Sequence, residues 1–314
     1  MARSGFDKAI LIAGPTASGK SGVALRLARE LDGVVVNADA MQVYRDLSIL
    51  TARPDKVAEA EAPHRLYGHV DAGERYSVGR WLGEFRAVLD DLAAAGRWAV
   101  ITGGTGLYFK ALTEGLADIP AIAADIEKHW QARLTAEGPG ALHDELRRAD
   151  PQGAGTVGPS DSQRLVRALA VLAATGQPLR SFHGEGNGSP LPGGPSRRLV
   201  VMPPRAGLYR HIEARFDAMI AEGAVAEVET LLARRLDPRL PALKAIGVAE
   251  LGRYLAGDVS LDAAIIEAKT RSRRFAKRQM TWVRGQMASW PAVANVEDAI
   301  ALARQLAAWK SDGW

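Results

Sequence analysis

The sequence predicts an α/β fold, a parallel-sheet core interrupted by a helical insertion. Three observations carry this expectation. Short apolar runs end one after another in glycine-rich or small polar turns, the first two runs flank an amphipathic helical pattern, and after about Ile119 the strand signals give way to helical ones.

Ala9 to Ala13 (AILIA) is a continuous apolar run of strand length, stopped by a glycine-rich turn. Ala24, Leu27, Ala28 and Leu31 then recur at i, i+3, i+4 and i+7 with Arg26, Arg29 and Glu30 between them, which predicts a helix that Gly33 ends. Val34 to Val36 is a second strand, running into Asn37-Ala38-Asp39. Strand, helix and strand in succession form the βαβ unit of a parallel sheet. Ser77 to Ala95 reads as a helix with Trp81, Phe85, Val88, Leu89 and Leu92 on one face and Gly96 at its close. Trp98 to Thr102 is a third strand, ending in Gly103-Gly104-Thr105-Gly106. In such sheets ligands sit beyond the carboxyl ends of the strands, and all three strands end there in small or polar residues.

Asp125 to Ala136, Ala141 to Ala149 and Asp161 to Thr175 read as helices, the last capped by Asp161 and stopped at Gly176-Gln177-Pro178. Gly184 to Pro195 is a flexible linker by composition. Leu199 to Met202 returns the chain to the sheet, and from about Leu208 the pattern is helical. The expected domains are a core of residues 1–120 and 196–314 and a helical insertion of residues 121–195.

The 314 residues can build one large or two modest domains, and 47% hydrophobic with 24% charged residues is ordinary for a soluble globular protein. No stretch approaches the apolar length of a transmembrane helix. Met1 to Lys8 is short and polar and does not read as a signal peptide. The absence of cysteine removes disulfides, thiolate metal sites and cysteine nucleophiles together, in keeping with a cytoplasmic protein without membrane association. His64, His69, His129, His143, His183 and His211 have no metal-ligand spacing. Net charge is only +4, so its distribution says more than its size.

Gly14 to Ser21 (GPTASGKS) fits G-x-x-x-x-G-K-[ST] between a predicted strand and a predicted helix, the context of a P-loop. Loop N–H groups form a cup, the helix adds the positive end of its dipole, Gly14 and Gly19 permit the tight path, and Lys20 reaches terminal phosphate oxygens. The Ser21 hydroxyl suits a magnesium ion, with Thr16 a second candidate ligand. The motif specifies a diphosphate or polyphosphate and does not specify ATP.

Asp39 follows the second strand and should stand near the P-loop. Its position alone leaves three roles open: magnesium ligand through water, proton acceptor, or cap of the next segment. Thr105 lies on the same edge, where its hydroxyl can touch a phosphate or hold a nucleophile. Lys269 to Arg284 (KTRSRRFAKRQMTWVR) holds seven basic residues and no acidic one, interleaved with Phe275, Met280, Trp282 and Val283. This is either a solvated face of a core helix or the footprint of a phosphate backbone. Arg164 and Arg167 form a weaker basic pair.

GPTASGKS, NADAMQVYR, APHRLYGHVD, GGTGLYFKAL, DSQRLVRAL, IEARFDAMI and KRQMTWVR, in this order and spanning most of the chain, resemble the tRNA dimethylallyltransferases, also called tRNA isopentenyltransferases. The resemblance implies a P-loop NTPase-like core with a tRNA-binding helical insertion. It implies transfer of a dimethylallyl group from its diphosphate to the exocyclic amine of the adenosine 3′ of the anticodon, in tRNAs reading codons that start with U. Gly14, Pro15, Thr16, Ala17, Ser18, Gly19, Lys20 and Ser21 would then hold the donor diphosphate with Mg2+, rather than serve ATP hydrolysis. Asp39 would be the general base, Thr105 would lie near the reacting centre, and Arg215 would support the departing diphosphate. The expected tRNA contacts, to the anticodon stem-loop, are Asp39, Ala40, Met41, Gln42, Thr105, Gln163, Arg164, Leu165, Val166, Arg167, Lys277, Arg278, Gln279, Trp282 and Arg284, in a protein acting as a monomer. Two departures stand out: Gly247-Val248 replaces the family's glycine-tyrosine pair, and LTARP at Leu50 to Pro54 replaces GTAKP. Two other classes fit the residues less fully: a P-loop small-molecule kinase with Asp39 receiving a hydroxyl proton, and a non-catalytic RNA-binding switch.

Overall fold

The computed structural model describes residues 6–182, 188–191 and 197–308, so eight of the twelve residues of the linker expected at Gly184 to Pro195, and His183, lie outside the described residues. The chain divides into two compact units, Met1–Thr113 with Ser189–Trp314, and Glu114–Gly188. The insertion drawn from the sequence spans residues 121–195.

The first unit is built on six strands: β1 (Ala9–Ala13), β2 (Gly33–Asn37), β3 (His64–Arg65), β4 (Trp98–Gly103), β5 (Arg198–Val201) and β6 (Ala292–Val293). All pairings are parallel, in the order β3-β2-β4-β1-β5-β6. β1 and β2 are buried along their whole length, which explains why both read as unbroken apolar runs. β3 and β6, two residues each at the sheet edges, have no such run and were not expected.

Helix α1 (Lys20–Glu30) follows β1, α2 (Lys56–Glu61) precedes β3, α3 (Val78–Ala94) precedes β4 and α4 (Gly106–Glu114) follows it. The stop of α1 differs from the sequence reading. Asp32 turns the chain at φ 48°, a conformation that Asp tolerates, and Gly33 is already the first residue of β2. A Cβ on Gly33 would lie 3.2 Å from the Trp98 backbone oxygen, so its smallness serves strand packing. Ser77 caps α3 by accepting the Arg80 N–H at 3.2 Å. Trp81 of α3 is fully buried, donates its indole N–H to the Asn37 carbonyl at 3.0 Å and stacks on Tyr108 of α4.

The second unit contains α5 (Ala124–Ala149), α6 (Pro151–Ala154) and α7 (Ser162–Thr175). The two helices expected at 125–136 and 141–149 form one element interrupted at Gly138, whose φ of 79° and following Pro139 break the helical path. Leu142 and Leu146 pack against Leu165 and Leu169 in the core of this unit. Asp161 caps α7 as expected, accepting the Arg164 N–H at 3.2 Å.

The first unit is completed by α8 (Arg205–Ala221), α9 (Ala224–Ala233), α10 (Val248–Leu255), α11 (Leu261–Gln286) and α12 (Val296–Ala308). Val23, Leu27, Ala299 and Ile300 of α1 and α12 pack with Ile10, Ile12 and Val35 of the sheet. A separate cluster joins Phe216, Val228, Leu231, Leu251 and Ala268 of α8 to α11 to Val43, Tyr44 and Leu47. The segment after Asp39 is thereby packed on helices rather than on the sheet.

Candidate active site

Strand register brings three turns to one level. Ala13 pairs with Gly103 and Asn37 with Thr102, so the chain leaves β1, β2 and β4 side by side at their carboxyl ends. Thr105 N–H donates to the Ala38 carbonyl at 3.3 Å and Thr105 Oγ1 accepts the Ala40 N–H at 2.9 Å, so the turn after β4 grips both neighbours of Asp39.

The P-loop has the backbone expected of an anion cup. Gly19 at φ 88° precedes α1 with no side chain capping it, which leaves the first helical N–H groups to a ligand. Ala17 sits at φ 62°, an unusual conformation for a residue with a Cβ, and with Gly19 it curls the loop amides inward. Gly14 has no room for a side chain: a Cβ would lie 2.6 Å from the Val201 carbonyl oxygen. Lys20 folds back to donate to the Pro15 carbonyl at 3.1 Å. Burial lowers its pKa to about 8, against the raising influence of Asp39. Ser21 is exposed in the first turn of α1. Arg215 of α8 donates to the Thr16 hydroxyl; burial lowers its pKa and Asp39 opposes that shift.

Asp39 is held by its neighbours. Asn37, fully buried, accepts the Asp39 N–H through Oδ1 at 2.7 Å and donates from Nδ2 to the carbonyls of Asp39 at 3.0 Å and Leu66 at 2.9 Å. Asp39 Oδ1 accepts the Met41 N–H at 2.9 Å. No donor among the described residues is bonded to Oδ2, which lies 3.4 Å from where a Gly104 Cβ would stand. The carboxylate therefore caps its own turn with one oxygen and has the other uncommitted. Its field also reaches Tyr67 and Tyr108, whose hydroxyls are pushed up first by burial and then by Asp39.

The residues expected at tRNA separate into groups. Lys277, Arg278 and Arg284 are exposed on α11, Arg278 lying over the Phe275 ring at 5.5 Å. Arg271, Arg273 and Lys269 of the same basic run are tied instead to Glu250, Glu213 and Asp217. Gln279 and Trp282 turn inward. Gln279 is buried and bonds Thr16 N–H and the Gly104 carbonyl, each at 2.9 Å, and Trp282 packs its indole N–H against Gly106 without a partner. Gln42 donates both amide hydrogens to the carbonyls of Thr51 and Ala52 at 2.9 Å, Met41 packs against the helical cluster, and Ala40 is bonded to Thr105. On α7, Gln163 and Arg164 are exposed and Arg167 faces Glu127, whereas Leu165 is fully buried in the helical core with Val166 packed beside it. Leu165 has no side-chain surface for RNA.

Asn37 and Glu227 escaped the sequence reading, and Gln279, expected at tRNA, bonds two loops of the site instead. Glu227 of α9 accepts the N–H groups of Ser48, Ile49 and Leu50 at 2.6, 2.8 and 2.9 Å, fixing the loop whose carbonyls hold Gln42. Of Asn37 and Glu227, only Asn37 carried a signal, its polar character at a buried strand end.

A P-loop at the end of β1, a carboxylate at the end of β2 and a hydroxyl after β4 define a P-loop α/β protein built for group transfer from a phosphorylated ligand. Residues 42–286 match the family model described as IPP transferase, and residues 7–72 match the one described as Isopentenyl transferase. The tRNA dimethylallyltransferase of a Chelativorans species is 51% identical over 89% of this chain and 96% of its own. That of Agrobacterium fabrum is 51% identical over 90% and 94%. The crystal structure of the tRNA isopentenylpyrophosphate transferase from Bacillus halodurans superposes with a TM-score of 0.67 at 32% identity, covering 96% of each chain. A eukaryotic dimethylallyltransferase acting on tRNA gives a TM-score of 0.74 at 27% identity, over 88% of this chain and 70% of that one. The chain belongs to the IPP transferase family.

Proposed function

We propose that this protein is a tRNA dimethylallyltransferase. It transfers the dimethylallyl group of dimethylallyl diphosphate to the exocyclic amine of the adenosine 3′ of the anticodon, in tRNAs reading codons that start with U, and releases diphosphate. One observation carries the reading: a loop shaped for a diphosphate and a carboxylate with one uncommitted oxygen stand at the same strand-end level.

The P-loop amides, Lys20 and Arg215 hold the diphosphate and stabilise the charge that builds on it as it leaves. The Thr105 hydroxyl oxygen already accepts the Ala40 N–H, so its own hydrogen is available to a phosphate oxygen. The adenine amine is a poor nucleophile because its lone pair is delocalised into the ring. As the lone pair forms the new N–C bond, the C–O bond of the donor breaks and its electrons go to diphosphate, while Asp39 Oδ2 takes the amine proton. Magnesium, when bound, neutralises diphosphate charge and favours the same bond breaking. Ser21 Oγ would be the hard ligand this chain offers it. Thr16 fits less well, because Arg215 already donates to its hydroxyl. No group of three or more acidic or histidine side chains among the described residues could hold a metal, so diphosphate oxygens and water would complete its sphere.

On the acceptor side, exposed Arg274, Lys277, Arg278 and Arg284 give α11 a phosphate-binding face. The target base leaves its stack to enter the site, which is easier from a loop than from a duplex. No helix among the described residues is long and apolar enough to cross a membrane, and the reading places the enzyme in the cytoplasm, working as a monomer. The test is incubation with magnesium, labelled dimethylallyl diphosphate and unmodified tRNA. Label in the tRNA is the expected result. ATP turnover on a small alcohol, with no label in tRNA, would return the protein to the kinase class.

A further inference from the structure

We propose that Gln279 is a positioning residue that sets the donor cup and spaces it from the acceptor-activating turn, and that it does not contact RNA. The proposal rests on the reading of the P-loop as the diphosphate site.

Gln279 lies on the most basic helix of the chain, between residues that face solvent. Lys277 and Arg278 just before it and Arg284 after it are exposed, yet Gln279 itself is 8% exposed. Both ends of its amide are spent on backbone from different loops. Oε1 accepts the N–H of Thr16 in the P-loop, and Nε2 donates to the carbonyl of Gly104 in the turn after β4, both at 2.9 Å. One partner is a donor and the other an acceptor, so only one orientation of the amide satisfies both. A Cβ on Gly104 would stand 2.3 Å from Gln279 Nε2, so a side chain at this turn would displace the amide.

Two consequences follow for the site. Thr16 is held from two sides, by Gln279 at its backbone N–H and by Arg215 at its hydroxyl. Its N–H is therefore unavailable to an anion, and the Ser18 N–H is given to the Pro15 carbonyl at 3.2 Å, so the loop donors left to the diphosphate are the other amides after Thr16, beside Lys20, Arg215 and the Thr105 hydroxyl. Gln279 also fixes the separation between the loop that holds the leaving group and Gly104, next to which lie Thr105 and the free oxygen of Asp39. Binding geometry on the two sides of the reaction is thus tied through one side chain, and a displacement of about an ångström there is enough to slow a transfer step.

The test is to measure the dissociation constant of magnesium diphosphate without tRNA, and that of tRNA without donor, for the wild type, Gln279→Leu and Gln279→Asn, with thermal melting of each. Asparagine keeps the amide but is too short to reach both loops, and serves if the leucine variant does not fold. The expected result is a roughly tenfold weaker hold on diphosphate, from one buried donor and one buried acceptor left unpaired, with tRNA affinity within about twofold. Diphosphate affinity unchanged in a folded variant overturns the proposal. So does an equal loss for both ligands, which marks a general structural role. Weakened tRNA binding alone would make Gln279 an RNA contact. A wild type that binds no magnesium diphosphate would instead sink the underlying reading of the P-loop, and this proposal with it.

Discussion

Asn37 and Asp39 hold each other in a closed loop of hydrogen bonds: the Asn37 amide oxygen takes the Asp39 N–H at 2.7 Å, and the Asn37 amide nitrogen gives a hydrogen to the Asp39 carbonyl at 3.0 Å. Because Asn37 is fully buried at the end of β2 and also bonds Leu66, it fixes where the carboxylate stands relative to the P-loop. Asn37→Asp keeps the shape and the acceptor but turns a lone pair toward two carbonyls. The expected cost is about 1–3 kcal/mol of stability, with a lower kcat and unchanged tRNA affinity. A melting temperature equal to the wild type's would show that these bonds do not hold the turn.

Asp39 itself is best tested with asparagine rather than alanine. Asp39→Asn can still accept the Met41 N–H, so the turn survives, while the uncommitted oxygen loses its capacity to take a proton. Turnover should fall by about 10²–10⁴ with tRNA binding within a few-fold. Parallel losses in affinity and in rate would assign Asp39 to holding the base instead of deprotonating it.

How much of this was legible in the sequence depends on the range of the interaction. The four central strands and the P-loop were readable because burial writes unbroken apolar runs and the cup demands glycines at set spacing. β3 and β6 were not, since two-residue edge strands leave no periodic signal. Within α11 the basic run suggested one RNA-facing surface. The fold divides it, because Arg271 and Arg273 meet acids on α10 and α8 and Gln279 meets the P-loop, 263 residues away in sequence at Thr16. Pairings across that distance have no local pattern to betray them.

That division gives a prediction. Glu250 is 1% exposed and depends on Arg271 and the Gly247 N–H, so Arg271→Ala leaves a buried carboxylate short of a partner. The expected loss is about 1–3 kcal/mol of stability, with the salt dependence of tRNA binding unchanged. Arg274 and Arg278 are exposed, and changing both to glutamine should leave stability intact while reducing the slope of log affinity against log salt by about one to two. An unaltered slope in the double variant would place the RNA elsewhere.

Lys20 supplies a pH dependence with a definite sign. Its folded-state pKa is about 8, below the ordinary 10.5, because burial disfavours the ammonium more than Asp39 restores it. Below about pH 8 folded and unfolded chains both hold the proton; between about 8 and 10.5 only the unfolded chain does. The unfolded state then binds more protons, so Lys20 contributes a rise in stability with pH across that window. A bound diphosphate reverses the balance by favouring the charged amine. Binding should therefore take up a proton at about pH 9 and weaken as pH climbs above about 8. Lys20→Arg is the control, because a guanidinium stays charged and has no proton to gain. Calorimetry in buffers of different protonation heats should show uptake by the wild type in excess of the arginine variant, whose own value reports the ligand's titration. Equal uptake by the two proteins would mean that Lys20 is already charged in the free cup.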